Sequence, residues 1–297
     1  MSKQTGWRAF TSAFIISFVL LSLVAVTVVA LIDTSQPVDH SQSDVPKESY
    51  QPDREENMTL LLMFGADRTT PPTSYQLLCF TPETRKIEVV PLPPELESTV
   101  NIRTDTLYGH YEYGGVDMAC QAVQNALKIT VNRYLILDMD SFGAMVDQCG
   151  GLSYQVPKDI NYFDELFDGL QSLQRGLQML DGEKLRILLR NPEEYQENMP
   201  QIRGEFLVTV INSCFDQSFV EKSEDLFTAA VNETTTNLNH FDYTKREEAL
   251  RYIAESEEEK AELLLLDGTW ETTRKGKRFT PSRESKEVIQ NLLQEED

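Results

Sequence analysis

"YEYGGVDMACQAVQNALKITVNRYLILDMDSFGAMVDQCGG" runs from Tyr111 to Gly151. Its first part places Ala119, Ala122, Val123, Ala126 and Leu127 at three- and four-residue spacing, the signature of a helix with one apolar face over Val116–Leu127. YLILDM (134–139) follows, a short apolar run of strand length. Ser141–Cys149 then returns to helical spacing, with Phe142, Met145, Val146 and Cys149 on one side and Gly150-Gly151 as a stop. A helix, a strand and a helix within about forty residues imply an α/β domain.

The same alternation extends in both directions. MTLLLMF (58–64), YQLLCF (75–80), KIEVVPL (86–92), LSYQV (152–156) and ELLLLDG (262–268) read as strands bounded by turn residues, and TPETRK reads as a hairpin-like turn between the second and third. Asp181–Arg190, Gln201–Phe215, Glu224–Val231 and Thr244–Glu257 read as helices, and Pro281 opens a last one carrying Val288, Ile289, Leu292 and Leu293. Strands interleaved with helices in this order predict a mixed sheet. No internal repeat is visible, and the acidic run Glu255–Glu262 reads as a solvated helix face.

Upstream, Ala9–Ile32 contains no charged residue. As a helix it would measure roughly 36 Å, enough for a hydrocarbon core of about 30 Å. A cleaved signal peptide is the alternative, although its apolar region is usually shorter. Lys3 and Arg8 precede the run and Asp33, Asp39 and Asp44 follow it. That bias predicts a cytoplasmic tail (1–8), one transmembrane anchor (9–32) and an exterior C-terminal part. Residues 33–57, rich in Ser, Pro, Gln and Asp, read as a disordered linker, and 58–297 as the folded domain.

The formal charge of −21 argues against nucleic acid as a partner, since phosphate backbones are held by Lys and Arg clusters and none occurs here. Cys79, Cys120, Cys149 and Cys214 lack CxxC spacing, which disfavours zinc; an exterior location permits disulfides, but their apolar neighbourhoods favour free thiols. GxSxG, HExxH, GxxxxGKS and GxGxxG are all absent, and His40, His110 and His240 stand apart from one another.

Several stretches taken together resemble one family. TLLLMFGADR (59–68), LLCFTPETRKIEVVPLPPEL (77–96), YGHYEYGG (108–115), the run from Ala122 to Pro157, GLQMLDGEKLRILLR (176–190), TNL (236–238) and LLLLDGTW (263–270) are similar, in order and spacing, to the LytR-CpsA-Psr proteins of the bacterial cell envelope. The resemblance covers about residues 58–295. It implies a three-layer α/β/α sandwich preceded by one transmembrane helix, at the bacterial cell membrane with the domain outside. It further implies an apolar pocket for a polyprenyl-(pyro)phosphate-linked glycan, and transfer of an anionic polymer to peptidoglycan by a Mg²⁺-dependent phosphotransferase. Carboxylates would hold Mg²⁺ on the pyrophosphate while arginines grip its oxygens, chemistry that suits a polyanionic leaving group.

Carried over position by position, the resemblance assigns Asp67 as a catalytic residue and metal ligand. It assigns Arg68, Arg190 and Arg203 to the pyrophosphate, with Arg190 also catalytic. The sequence departs from the family elsewhere. An expected Arg and Asp before the second strand fall at Pro71 and Thr73, an expected Arg after the third strand at Pro94, and the second Arg of an Arg-x-Arg pair at Pro192. Arg103 and Asp105 are candidate substitutes. Phe142, Met145, Leu177 and Leu185 are candidates to line the pocket or to fill the core. Two functions follow: a working glycopolymer ligase with an altered site, or a non-catalytic lipid-carrier and glycan-binding module that regulates wall assembly. A purely protein-docking role through the acidic helices is a third.

Overall fold

The computed structural model describes residues 50–65, 71–72, 74–148, 150–156, 158–164, 169–190 and 199–293. The expected membrane span, Ala9–Ile32, and most of the expected linker lie outside the described residues. Among the described residues no helix is long and apolar enough to cross a membrane.

Three consecutive apolar runs form an antiparallel meander: β1 (Met58–Phe64), β2 (Ser74–Thr81) and β3 (Lys86–Leu92). Pro82–Thr84 and the left-handed Arg85 make the turn between the last two. Two short hairpin strands, β4 (Glu97–Val100) and β5 (Arg103–Thr106), precede α1 (Leu107–Leu127), and β6 (Arg133–Leu137) then pairs parallel to β1. After α2 (Met139–Gln148) come β7 (Leu152–Val156), β8 (Ile160–Asp164), β9 (Gly169–Leu173) and β10 (Gly176–Leu180). Helices α3 (Gly182–Arg190), α4 (Met199–Cys214) and α5 (Gln217–Glu233) lead to β11 (Thr235–Thr236), α6 (His240–Thr244) and α7 (Glu247–Ala254). The chain ends in β12 (Ala261–Leu263), the hairpin β13 (Gly268–Thr273) and β14 (Gly276–Pro281), and α8 (Arg283–Leu293). The main sheet is mixed, in the order β11-β6-β1-β2-β3-β12.

Its central strands are near-continuous apolar runs because both faces are covered. Leu61, Met63, Tyr75, Leu77, Val90 and Leu92 pack with Ala119, Ala122, Val123 and Leu127 of α1 and Ile289 of α8. Leu62, Phe64, Val89, Leu135 and Leu137, on the other face, pack with Phe142 and Val146 of α2, Leu185 and Leu188 of α3, and Phe206 and Leu207 of α4. A third cluster joins Phe80 and Phe215 to Val220 of α5 and to Ala249 and Ile253 of α7. The result is the expected three-layer arrangement around a mixed sheet.

Several expected boundaries move. The helix expected from Val116 begins at Leu107, capped by the Thr106 hydroxyl, and breaks at Gly114-Gly115, where Gly115 has φ 65°. The single helix expected over Thr244–Glu257 is two, because Arg246 turns inward and donates to the carbonyls of Glu56 and Asn57. That same contact orders residues 50–57, which their composition places in the linker. Tyr50 stacks at a tilt on Tyr252, and Asp53 caps a 3-10 turn at Arg54–Glu56. The last apolar run yields only a three-residue strand, β12. Gly150 and Gly151, both at positive φ (86° and 87°), end α2 as expected. Cys79, Cys120 and Cys214 are free thiols, and Cys149 lies outside the described residues.

Glu88 is a charged residue placed inside the sheet, 4% exposed, accepting hydrogen bonds from Thr81 and Thr84. Burial pushes its carboxyl up to about 7, against the opposing pull of the Thr81 hydrogen bond and with help from the neighbouring Glu262 charge. A raised folded-state value means stability that is complete below the unfolded value near 4.5 and is lost as pH rises to about 7. Thermal melts between pH 4.5 and 8 should show this decline, on the order of 2–3 kcal/mol. Glu88→Gln should remove the decline and raise the melting temperature at pH 8 by several degrees; a melt at pH 8 no higher than that of the parent would refute the assignment.

Candidate functional site

The site is built from the alternation of β2. Ser74, Gln76, Leu78 and Phe80 share one face of the strand. Leu78 sits beside Leu60 and Leu62 of β1, Ile87 of β3 and Leu135 and Leu137 of β6, and together these side chains floor a cavity of about 340 Å³. Its walls are Leu207, Val210, Ile211 and Cys214 of α4, and Leu226, Phe227, Ala229 and Ala230 of α5. Ser141, Met145 and Gln148 of α2 lie at its rim, where Met145 and Gln148 are exposed. The polar groups in the wall are satisfied where they are buried: Ser223 and Tyr243 share a 2.9 Å hydrogen bond. The volume falls at the lower end of the range of ligand pockets, and the lining is that of a site for a flexible hydrocarbon.

Toward the start of β2 the same face turns polar. Ser74 and Gln76 are both fully buried. Gln76 Nε2 donates to the Pro200 carbonyl at 2.8 Å, at the first turn of α4. Further along that helix, Gly204 lets it lie directly against the sheet: a Cβ there would come within 2.8 Å of Pro91 Cγ and Leu263 Cδ1 and 3.0 Å of Gln76 Oε1. That close approach carries Arg203 down with it. Arg203 Nε, Gln76 Oε1 and Ser74 Oγ are buried without a hydrogen-bond partner. Burial pushes the Arg203 guanidinium down to about 10, and it forms no ion pair among the described residues. Unpartnered buried polar atoms are uncommon and costly. Two of these, Arg203 Nε and the Ser74 hydroxyl, are donors that an anion would complete; Gln76 Oε1 is an acceptor and would need a donor.

Glu205, two residues along the same helix, accepts from Gln201. Arg190 closes α3. Asp67 and Arg68 lie outside the described residues, as do Thr73 and Pro192. Pro94, in the place of an expected arginine, sits in the turn after β3, where its carbonyl accepts from Tyr108 N at 3.0 Å. Arg103 and Asp105 do not substitute at the site. They pair with each other, Asp105 also pairs with Arg278, and all three belong to the α1 layer on the opposite side of the sheet from the cavity. Of the pocket candidates, Phe142 and Met145 line the cavity, Leu185 is core and Leu177 is solvent-exposed. Sequence reasoning misses Ser74 and Gln76; the signal available is two polar residues on the inward face of an otherwise apolar strand.

The fold is thus a mixed sheet covered on both faces, with an apolar cavity and a buried arginine on one side. The chain matches the LytR_cpsA_psr family over residues 27–295 and belongs to it. Among curated relatives it is similar to the polyisoprenyl-teichoic acid–peptidoglycan teichoic acid transferase TagU of Bacillus licheniformis, 25% identical over 163 residues. That match covers 54% of this chain and 52% of TagU, so the chain spans about half the length of this relative. Among solved structures, a Eubacterium siraeum protein superposes with a TM-score of 0.71 at 16% identity, over 87% of this chain and 98% of that one. TagT of Bacillus subtilis, solved bound to LI-WTA, superposes at 0.64 with 19% identity, over 84% and 95%. These similarities establish the shared fold.

Arg203→Met removes a buried cation that has no counter-charge. The ligand-free protein should therefore melt no lower than the parent, and by roughly 1 kcal/mol higher, whereas a purely structural arginine would cost stability when removed. Pyrophosphate or prenyl phosphate affinity, measured by calorimetry, should fall about 10–100-fold, the loss expected for a charge-assisted hydrogen bond.

Proposed function

We propose that this protein, anchored by Ala9–Ile32 outside a bacterial membrane, binds a polyprenyl phosphate- or pyrophosphate-linked glycan. The prenyl chain occupies the cavity between the sheet, α4 and α5. The phosphate oxygens lie at Arg203 and Ser74, with Arg68, Arg190 and Asp67 as further contacts assigned by the family resemblance. The observation that carries this reading is the continuity of one sheet face: an apolar cavity at one end, and at the other a buried arginine and a buried serine hydroxyl, each with an unsatisfied donor. An amphiphile with a long apolar tail and an anionic head satisfies both ends at once. The relatives' names, teichoic acid transferases acting on a polyisoprenyl-linked polymer and on peptidoglycan, are consistent with that class of ligand.

The magnesium implied by the resemblance rests on Asp67. Among the described residues no three His, Cys, Asp or Glu side chains are close enough to hold a metal ion. Asp67 lies outside the described residues, and the binding proposed from the described ones runs through Arg203.

A second reading, binding without transfer, is favoured by Pro94. A proline offers neither a guanidinium nor a backbone N–H to a phosphate, and its carbonyl is already used by Tyr108. Loss of one such donor typically costs about 10²–10³ in rate. Pro71 and Thr73 stand at two more expected charged positions.

Mass spectrometry of lipids extracted from the protein purified from a bacterial host should find a polyprenyl phosphate or pyrophosphate. A folded, empty protein that also takes up no added polyprenyl pyrophosphate would sink the proposal. Ala230→Trp, which fills the cavity, should abolish the co-purifying lipid without unfolding the chain. Thr73→Asp together with Pro94→Arg should raise transfer from a lipid-linked donor at least tenfold if charge loss is what limits the site; unchanged transfer with intact lipid binding would point elsewhere.

A further inference from the structure

Strands β7 to β10 make a single structure. Leu152 pairs with Leu180 and Val156 with Gly176; Ile160 then pairs with Leu173 and Asp164 with Gly169. Three residues separate Val156 from Ile160 and two separate Leu173 from Gly176, so the two hairpin segments are one antiparallel ribbon with a one-residue register change. Its inner face is core: Leu152, Val156, Ile160, Leu173 and Leu180 are buried with α3 and α4. Its outer face is uncovered. Phe163 and Leu170, direct cross-strand partners, are 60% and 73% exposed; Leu177 and Met179 are 72% and 55% exposed. The other outward residues, Ser153, Gln155, Asn161 and Ser172, are uncharged as well. Four large apolar side chains on one exposed face whose other outward strand residues are uncharged are not ordinary surface.

We infer that this ribbon is a membrane-docking arm whose outer face rests on the lipid surface. Three observations select a bilayer over a protein partner. First, the outward strand residues of the ribbon form an uncharged face in a chain of net charge −21; the ribbon's charges stand at the register change (Lys158, Asp159, Arg175), on the inward side (Asp164) and in the sequence joining β8 to β9 (Glu165, Asp168). That face can therefore approach an anionic bilayer without the repulsion the rest of the molecule experiences. Second, the arm reaches α2. Met179 lies against Gly151, just past the end of α2, the helix that supplies Met145 and Gln148 to the cavity rim. The arm's Met179 thus lies beside the end of the helix that borders the cavity. Third, only residues 33–49 separate the expected span from the folded unit that begins at Tyr50, a reach of at most roughly 60 Å. The docking rests on the lipid-carrier reading for its purpose, since a ligand dissolved in the bilayer has to be taken from it, but not for its chemistry, which is interfacial burial of Phe, Leu and Met.

The test uses the full chain reconstituted into phosphatidylcholine vesicles, with and without phosphatidylglycerol. Leu170→Trp, in a Trp7→Phe, Trp270→Phe background, serves as the probe, and acyl-brominated phosphatidylcholine as the quencher. The expected result is a blue-shifted emission from the introduced indole and at least twofold quenching by brominated lipid. Both should be lost when Leu177→Gln and Met179→Gln are added, while the far-UV spectrum and melting temperature stay unchanged. Emission typical of water with no quenching would overturn the proposal. So would quenching that survives the added glutamines, or burial of the indole that follows protein concentration in lipid-free detergent, which would mark a contact between copies of the chain. Uptake of polyprenyl phosphate in detergent micelles, measured in parallel, separates the two ideas: uptake without quenching leaves the lipid-carrier reading standing and removes only the arm.

Discussion

The arrangement depends on how closely α4 meets the sheet. At Gly204 there is no side chain, and the helix backbone lies against Pro91, Gln76 and Leu263. One and more turns further on, Leu207, Val210 and Ile211 face the same strands across a cavity. One helix therefore seals the polar end of a sheet face and leaves the apolar end open. The sealed end is where Arg203 Nε, Gln76 Oε1 and Ser74 Oγ lose their water without gaining partners. Close packing and incomplete packing, along a single helix, create the two halves of the proposed amphiphile site. The rest of the core offsets that loss, since both sheet faces are otherwise densely covered.

The central elements are legible in the sequence because their burial is two-sided and their runs long. β1 and β3 fall where their apolar runs predict, and α1 and α2 follow the spacing of Ala119–Leu127 and Phe142–Val146. The ribbon is not: only Leu152–Val156 reads as a strand, since LQSL and GLQML place apolar residues on the exposed face as well as the buried one. Period-two alternation marks a strand when one side is wet and polar, and here the wet side is apolar. The break at Lys245–Arg246 is also hidden, because it comes from a contact with Glu56, far away in the chain. Of the site, Arg203 emerges from the family resemblance, but its burial and lack of partner are consequences of Gly204, a residue with no chemistry of its own.

Charge is distributed with a purpose that composition conceals. The many carboxylates are mostly exposed, while the few buried ones are individually provided for. Asp242 is held by Arg133 and accepts from Asn239 N, and these two hydrogen bonds keep its carboxyl below the usual range despite burial. Glu88 has hydroxyls but no cation and sits high instead. Arg203 is the reverse case, a cation without an anion. Against a surface so negative, a buried, unsatisfied positive group is the place where an anionic head can be held without competition from the protein's own carboxylates.

The β7–β10 ribbon also has two unpaired edges. Each presents backbone N–H and C=O groups in a row, beside side chains that carry little charge to keep another strand away. A protein built this way has a built-in tendency to stick to itself whenever the arm is left bare. Its behaviour in dilute buffer would thus be a property of the missing environment as much as of the chain: detergent or lipid would act as a solubilising cover for one ribbon, and concentration without either would drive edge-to-edge aggregation from that ribbon first.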